Sequence, residues 1–179
     1  SKDHSPYTVQ NAINQHLKPA HIAIVDCELV DDEFSARFSA TARHYLYRII
    51  NRTPRLTLDA GYAWHVRSEL DHELMHKVAQ NLVGKHDFSS FRAAACQAKS
   101  PVKTLTRLDI TREDEEVQIR VSAPSFLHNQ VRAMVGSLSF VGTGQWSERD
   151  FLAAKDAKDR QRGGPNAPPH GLYLTDVDY

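Results

Sequence analysis

The stretch from Ala36 to Ile50, "ARFSATARHYLYRII", alternates apolar and polar residues for most of its length. A period of two belongs to a strand, whose successive side chains leave opposite faces. The run is far longer than the five or six residues of a common strand, so it predicts a bulge or a crossing between two sheets. A long strand needs neighbours, and the chain supplies candidates. "AHIAIVDCELV" (20–30) is rich in Ile and Val and reads as a strand, "VKTLTRLDITREDEEVQIRVSAP" as a hairpin around the acidic turn at 113–116, and "LYLTDVDY" as a closing strand. Gly61 to Val66 is a further short apolar segment.

Helical patterns lie between these strands. Ser5-Pro6 opens a short helix, with proline at the first position, where its missing N–H does no harm. "SELDHELMHKVAQNLVG" (68–84) places Leu70, Leu74, Val78 and Leu82 on one stripe, with Ser68 as N-cap and Gly84 as C-cap. "SFLHNQVRAMVGSLSFVGTG" carries Val131, Met134, Val135 and Leu138 on its apolar side, and "SERDFLAAKDA" is a short helix capped by Ser147. "RQRGGPNAPPHG" reads as an irregular loop. The expectation is an α+β fold, an antiparallel sheet with helices packed on one face.

The 179 residues suit one domain, or one domain plus part of another. No apolar run approaches the ~20 residues of a membrane-spanning helix, and the polar opening "SKDHSPYTVQ" is no signal peptide. Two cysteines form neither a disulfide framework nor a metal-ligand spacing, and ten histidines show no metal motif. A reducing cytoplasm, no metal and no membrane are expected.

Charge is balanced overall, with 22 basic and 22 acidic residues, but it is unevenly placed. Between Ala36 and Arg55 the chain carries Arg37, Arg43, Arg48, Arg52 and Arg55 and no acid. Phe88 to Leu108 carries Arg92, Lys99, Lys103 and Arg107, again without an acid. Charge alone does not separate a patch aimed at a polyanion from two solvated faces. A strict strand period puts Arg37, Ser39, Thr41, Arg43, Tyr45 and Tyr47 on one face. Phe38, Ala40, Ala42, Leu46 and Ile50 then form a core face, with His44 and Arg48 as exceptions. Guanidinium groups neutralise phosphates and aromatic rings stack on unpaired bases, a pairing suited to splayed-out RNA. The alternative is a half-buried pair of tyrosines beside an arginine-solvated edge.

Four segments in order, "FSARFSATARHYLYRI", "HDFSSFRAAACQAKSPVKTL", "FLHNQVRAMVGSL" and "APPHGLYLTDVDY", resemble the successive motifs of the TruA-type tRNA pseudouridine synthases. The likeness covers essentially the whole chain. It implies an isomerase that converts uridine to pseudouridine at positions 38, 39 and 40 of the anticodon stem-loop of tRNA. It implies no cofactor, a homodimer, and a base that leaves its stack to react. By the same resemblance Tyr45 lines the uracil pocket and Arg132 pairs with the catalytic aspartate. That aspartate belongs to a Gly-Arg-Thr-Asp-Ala-Gly motif, which the resemblance places upstream of the "SKD" opening and which this sequence lacks. Asp59-Ala60-Gly61 is superficially similar, but it follows the tyrosine motif and has no Gly-Arg before it.

The expectation is therefore a C-terminal part of a synthase, inactive by itself, with no catalytic residue of its own. Residues 1–31 would be the remnant of the N-terminal half, and residues 32–179 the C-terminal domain. Tyr45 and Arg132 are the substrate-binding candidates. Arg37, Arg43, Arg92, Lys99, Lys103 and His128 are the RNA-binding ones, with His128 and Arg132 set at i and i+4 to face one cleft. A non-catalytic RNA-binding or dimerisation module of the same fold is the alternative.

Overall fold

A sheet of five strands is organised around β1 (Ala42–Asn51). The computed structural model describes residues 4–179, so the first three residues of the expected 1–31 segment lie outside the described residues. Two compact units make up the chain, residues 1–39 and 40–179.

In the second unit β1 is paired along both edges. On one side lies β6 (Glu116–Ala123), antiparallel, which pairs in turn with β5 (Arg107–Glu113). These two are the expected hairpin, with Asp114 in its turn at φ 51°, a backbone that aspartate tolerates better than most residues. On the other side Ala42–Tyr47 pairs antiparallel with β7 (Leu172–Asp178), and Ile49–Asn51 pairs parallel with the short β2 (Trp64–Val66). The β1–β7 register shifts between His44 and Tyr45, a bulge of the kind the long alternation predicts. A separate two-stranded ladder joins β3 (Gly84–Asp87) to β4 (Val102–Leu105).

The two faces of the sheet are the reverse of the sequence expectation. Tyr47 and Ile49 are fully buried, and they share their face with Val117, Ile119, Val121, Leu108 and Ile110. Over that face pack α2 (His72–Ala79) and α3 (Gln130–Gly142), through Met75, Val78, Met134, Val135 and Leu138. The opposite face carries His44, Leu46 and Arg48 beside Ser122, Arg120 and Gln118. His44 and Arg48 are thus no exceptions in a core; they belong to the polar face. A buried tyrosine is tolerated when its hydroxyl finds an acceptor, and Tyr47 donates to the Pro168 carbonyl at 2.7 Å.

The second helix is shorter than its apolar stripe. Asp71, not Ser68, caps α2 by accepting the Leu74 N–H at 2.8 Å, and residues 80–82 tighten into a 3-10 turn before Gly84. The fourth helix, α4 (Glu148–Asp156), starts at Ser147 as expected, in a reciprocal capping box with Asp150.

In the first unit, α1 (Pro6–His16) has Ser5 as its cap. The expected strand at 20–30 is absent. Within it, Ile24 makes both backbone bonds to a side chain: its N–H donates to Asn14 Oδ1 at 2.7 Å and its carbonyl accepts from Asn14 Nδ2 at 2.9 Å. A side-chain amide there takes the role of a neighbouring strand. Arg37 lies in a turn at 36–39, ahead of β1 and off the strand where the alternation placed it, with its guanidinium 5.3 Å from the Phe38 ring centroid.

Candidate active site

Residues 124–129, "PSFLHN", run from the end of β6 into α3, and most of the candidate residues meet there. Arg43 Nη1 donates to the Pro124 carbonyl at 2.6 Å. Lys103, on β4, donates to Ser125 Oγ at 3.0 Å. Tyr45 packs edge-on against Phe126, with ring centroids 5.2 Å apart. The Leu127 N–H is held by Gln130 Oε1 at 2.8 Å. The His128 carbonyl accepts from Ala93 N–H at 3.1 Å, while its own N–H reaches Cys96 Sγ at 3.4 Å. Three separate stretches of sequence are thereby fixed to one six-residue segment.

His128 does not share a helical face with Arg132. It precedes α3, and Asn129 interrupts the backbone between them at φ 62°. The His128 side chain is exposed, and so is Lys99. Arg92 is held inside its own loop, with Nη2 donating to the Cys96 and Ala98 carbonyls at 2.8 and 2.7 Å. Burial pushes the Cys96 thiol up. The N–H groups of Ala98 and His128 and the Arg92 charge outweigh that and hold it below the usual thiol range. Cys96 thus ties the loop at 92–98 to the entrance of α3.

Arg132 is in the first turn of α3. Its Nε donates to the Ala167 carbonyl at 2.7 Å and its Nη1 to Asn129 Oδ1 at 3.3 Å. Among the described residues it forms no ion pair, and no acidic residue lies in the first turn of α3. Its acceptors are neutral oxygens, so its charge is uncompensated locally. The positive end of the helix dipole adds to that charge. Its influence reaches Tyr47: burial pushes the Tyr47 phenol strongly up, and the Arg132 charge pulls it partly back.

Sequence reasoning placed Tyr47 beside Tyr45 on an RNA-facing side and gave Phe126, Asn129 and the Ala167–Pro168 carbonyls no part in this site. All of them lie inside segments already singled out by resemblance, so a signal for them existed. The burial of Tyr47 had none, because the acceptor of its hydroxyl lies 121 residues away.

Asp59 is elsewhere. Its carboxylate is bound by Arg48 Nη2 at 3.1 Å, on the polar face of the sheet. The same guanidinium grips Glu116 through Nε at 2.9 Å and Nη2 at 2.7 Å. Arg48 alternates with Tyr45 and Tyr47 along β1, so Asp59 and the tyrosines are on opposite sides of the sheet. Among the described residues no group of three or more His, Cys, Asp or Glu side chains is placed to hold a metal ion. No helix among them is long and apolar enough to cross a membrane.

The family model for tRNA pseudouridine synthase matches residues 78–179, which include α3, the loop at 92–98 and β7. A tRNA pseudouridine synthase A of Maricaulis maris is 58% identical over the whole chain, which spans 72% of that protein. Proteins of the same name from Rhizobium leguminosarum bv. trifolii and Methylocella silvestris are each 56% identical, again over the whole chain, which spans 68% and 72% of them. Identity at this level over every element described above carries the fold and its core with it: the chain belongs to the tRNA pseudouridine synthase family.

Proposed function

We propose that this chain carries the uridine-binding side of a cytoplasmic tRNA pseudouridine synthase that acts at positions 38–40 of the anticodon stem-loop as a homodimer. Tyr45 offers its ring to the flipped uracil. Arg132 receives the aspartate of a Gly-Arg-Thr-Asp-Ala-Gly loop, which the 179 residues do not contain. Arg43, Arg92, Lys99, Lys103 and His128 face the RNA backbone, and Arg37, in the first unit, is a separate RNA-binding candidate. The observation that carries this reading is the state of Arg132, a half-buried guanidinium fixed at two corners by neutral oxygens and paired with no carboxylate among the described residues. A guanidinium held in place but not neutralised is free to receive an anionic partner.

The reaction breaks the bond from C1′ to the uracil N1 and forms one from C1′ to C5; the C5 hydrogen leaves as a proton and N1 takes one up. Stacking and phosphate contacts act on the ground and transition states alike and do not supply that step. The 179-residue chain alone is therefore expected to be silent. The test is tritium release from tRNA labelled at uridine C5. It is run on the chain, on the chain with the family's loop segment joined ahead of it, and on that longer polypeptide with Asp59→Ala. Silence of the first and equal activity of the other two is the expected result. Turnover by the short chain that Asp59→Ala abolishes would overturn the reading. A longer polypeptide that binds tRNA yet releases no tritium would favour a non-catalytic RNA-binding module.

A further inference from the structure

The segment from Gly163 to Gly171 is a strap laid across α3. Gly164 N–H donates to Ser137 Oγ at 2.9 Å, and Ala167 N–H donates to the Arg132 carbonyl at 2.9 Å. The approach is close enough that a Cβ on Gly136 would collide with the Pro165 carbonyl oxygen, so the helix can present only glycine there. At its far end the strap is tied by the Tyr47 hydroxyl to the Pro168 carbonyl at 2.7 Å. Ala167 therefore clamps Arg132 twice, by its N–H on the backbone and by its carbonyl on Nε. Asn129 holds the guanidinium at a second corner, from a left-handed backbone that frees its side chain from capping α3.

A planar group fixed at Nε and Nη1 has its roll determined, and its remaining corner, Nη2, points one way. The clamp at Nε is only as firm as the carbonyl that makes it. That carbonyl is one residue from the Tyr47 bond, and Tyr47 is fully buried, paired with Ile119 and Leu172 on the neighbouring strands.

We propose that Tyr47 is a positioning residue for the synthase reaction: through the Pro168 carbonyl it holds the strap, and through the Ala167 carbonyl the strap aims the Arg132 guanidinium at its anionic partner. This rests on the reading of Arg132 given above, and the test separates the two. Tyr47→Phe keeps the buried ring and removes only the hydroxyl. The probe is the Arg132 Nε–H resonance in the 15N-labelled chain, assigned by its loss in Arg132→Lys. With the hydroxyl gone, its hydrogen exchange should quicken by about fivefold, the counterpart of one net hydrogen bond of about 1 kcal/mol. Amides of β6 should keep their protection, which a loss of overall stability would not allow. An Arg132 Nε–H that exchanges within a factor of about two of the wild-type rate in the folded variant overturns the proposal.

A second measurement needs no variant. Lifting the strap breaks the Ala167 N–H bond and the Arg132 Nε–H bond together, so in the wild-type chain the two protons should be protected alike. A free Arg132 Nε–H beside a protected Ala167 N–H would also overturn it. Neither measurement involves RNA. Failure of the wild-type chain to bind an anticodon stem-loop would count against the functional reading and leave this result in place.

Discussion

Two arginines, Arg48 on the polar face of the sheet and Arg132 over its core face, make opposite use of the same side chain. Arg48 is saturated with charge: Glu116 accepts from two of its nitrogens and Asp59 from one. The Glu116 hydrogen bond raises the Arg48 pKa further, and Arg48 in turn holds the Glu116 carboxyl below the usual glutamate range. Arg132 is equally well oriented, but by a carbonyl and an amide oxygen. Orientation without neutralisation leaves a charge available to another molecule or segment. Orientation with neutralisation closes a loop, here the connection from β1 to β2 that carries Asp59.

The contrast breaks most visibly at Arg132. In a polypeptide with the Gly-Arg-Thr-Asp loop joined ahead of this chain, Arg132→Lys should lower turnover by about 10²–10³, the usual cost of losing a preorganised donor, because an ammonium cannot reproduce the planar fork. Tritium release measures it, and near-normal turnover would remove Arg132 from the site. Next comes Tyr45. Tyr45→Ala should weaken binding of an anticodon stem-loop by about 1–3 kcal/mol, and Tyr45→Phe much less, since the ring supplies the stacking face. Equal affinities in a titration of all three proteins would put the tyrosine outside the pocket.

Arg48→Met should do the reverse, costing about 1–3 kcal/mol of stability through the lost charge-assisted bonds and leaving RNA affinity unchanged. Its pH dependence has a definite sign. Glu116 is depressed in the folded state, so the stabilisation is present above the unfolded value of about 4.3 and fades as pH falls through the folded one. Urea midpoints of wild type and Arg48→Met should therefore converge on acidification, and a gap that stays constant down to the lowest pH would exclude this pair as its source. The smallest effect concerns the fixed positive charges. Removing Arg43, Arg92 or Lys103 singly should reduce the magnitude of the salt slope of tRNA binding by about one unit. Unchanged slopes in all three would show that they face away from the backbone.

Features set by neighbouring residues were readable from the sequence. The Ser5 and Ser147 caps and the hairpin turn depend on contacts within four residues. Features decided by distant partners were not. Tyr47 looked solvent-facing because its acceptor, Pro168, is remote in sequence, and Arg48 looked misplaced because Glu116 and Asp59 were not yet beside it. The segment at 20–30 has a strand's composition, yet a strand exists only with a ladder, and in the first unit Asn14 takes the bonds of Ile24. Tyr45 and Arg132 enter the candidate site through resemblance. The strap that orients Arg132 read only as an irregular Gly/Pro loop.

The pairing of β1 with β7 also has a consequence in time. On a ribosome adding about 5–20 residues per second, β1 is made on the order of ten seconds before the strand that covers its second edge, and the strap arrives just ahead of that strand. During this interval the β1 edge is an open template for pairing with other chains. Arg43, His44 and Arg48, spaced along a strand otherwise rich in Tyr, Leu and Ile, are the charges and polar groups that keep such an edge soluble. The orientation of Arg132 is accordingly among the last things the nascent protein acquires, and a chain released early would hold Tyr45 on its strand before the Ala167 carbonyl could fix Arg132.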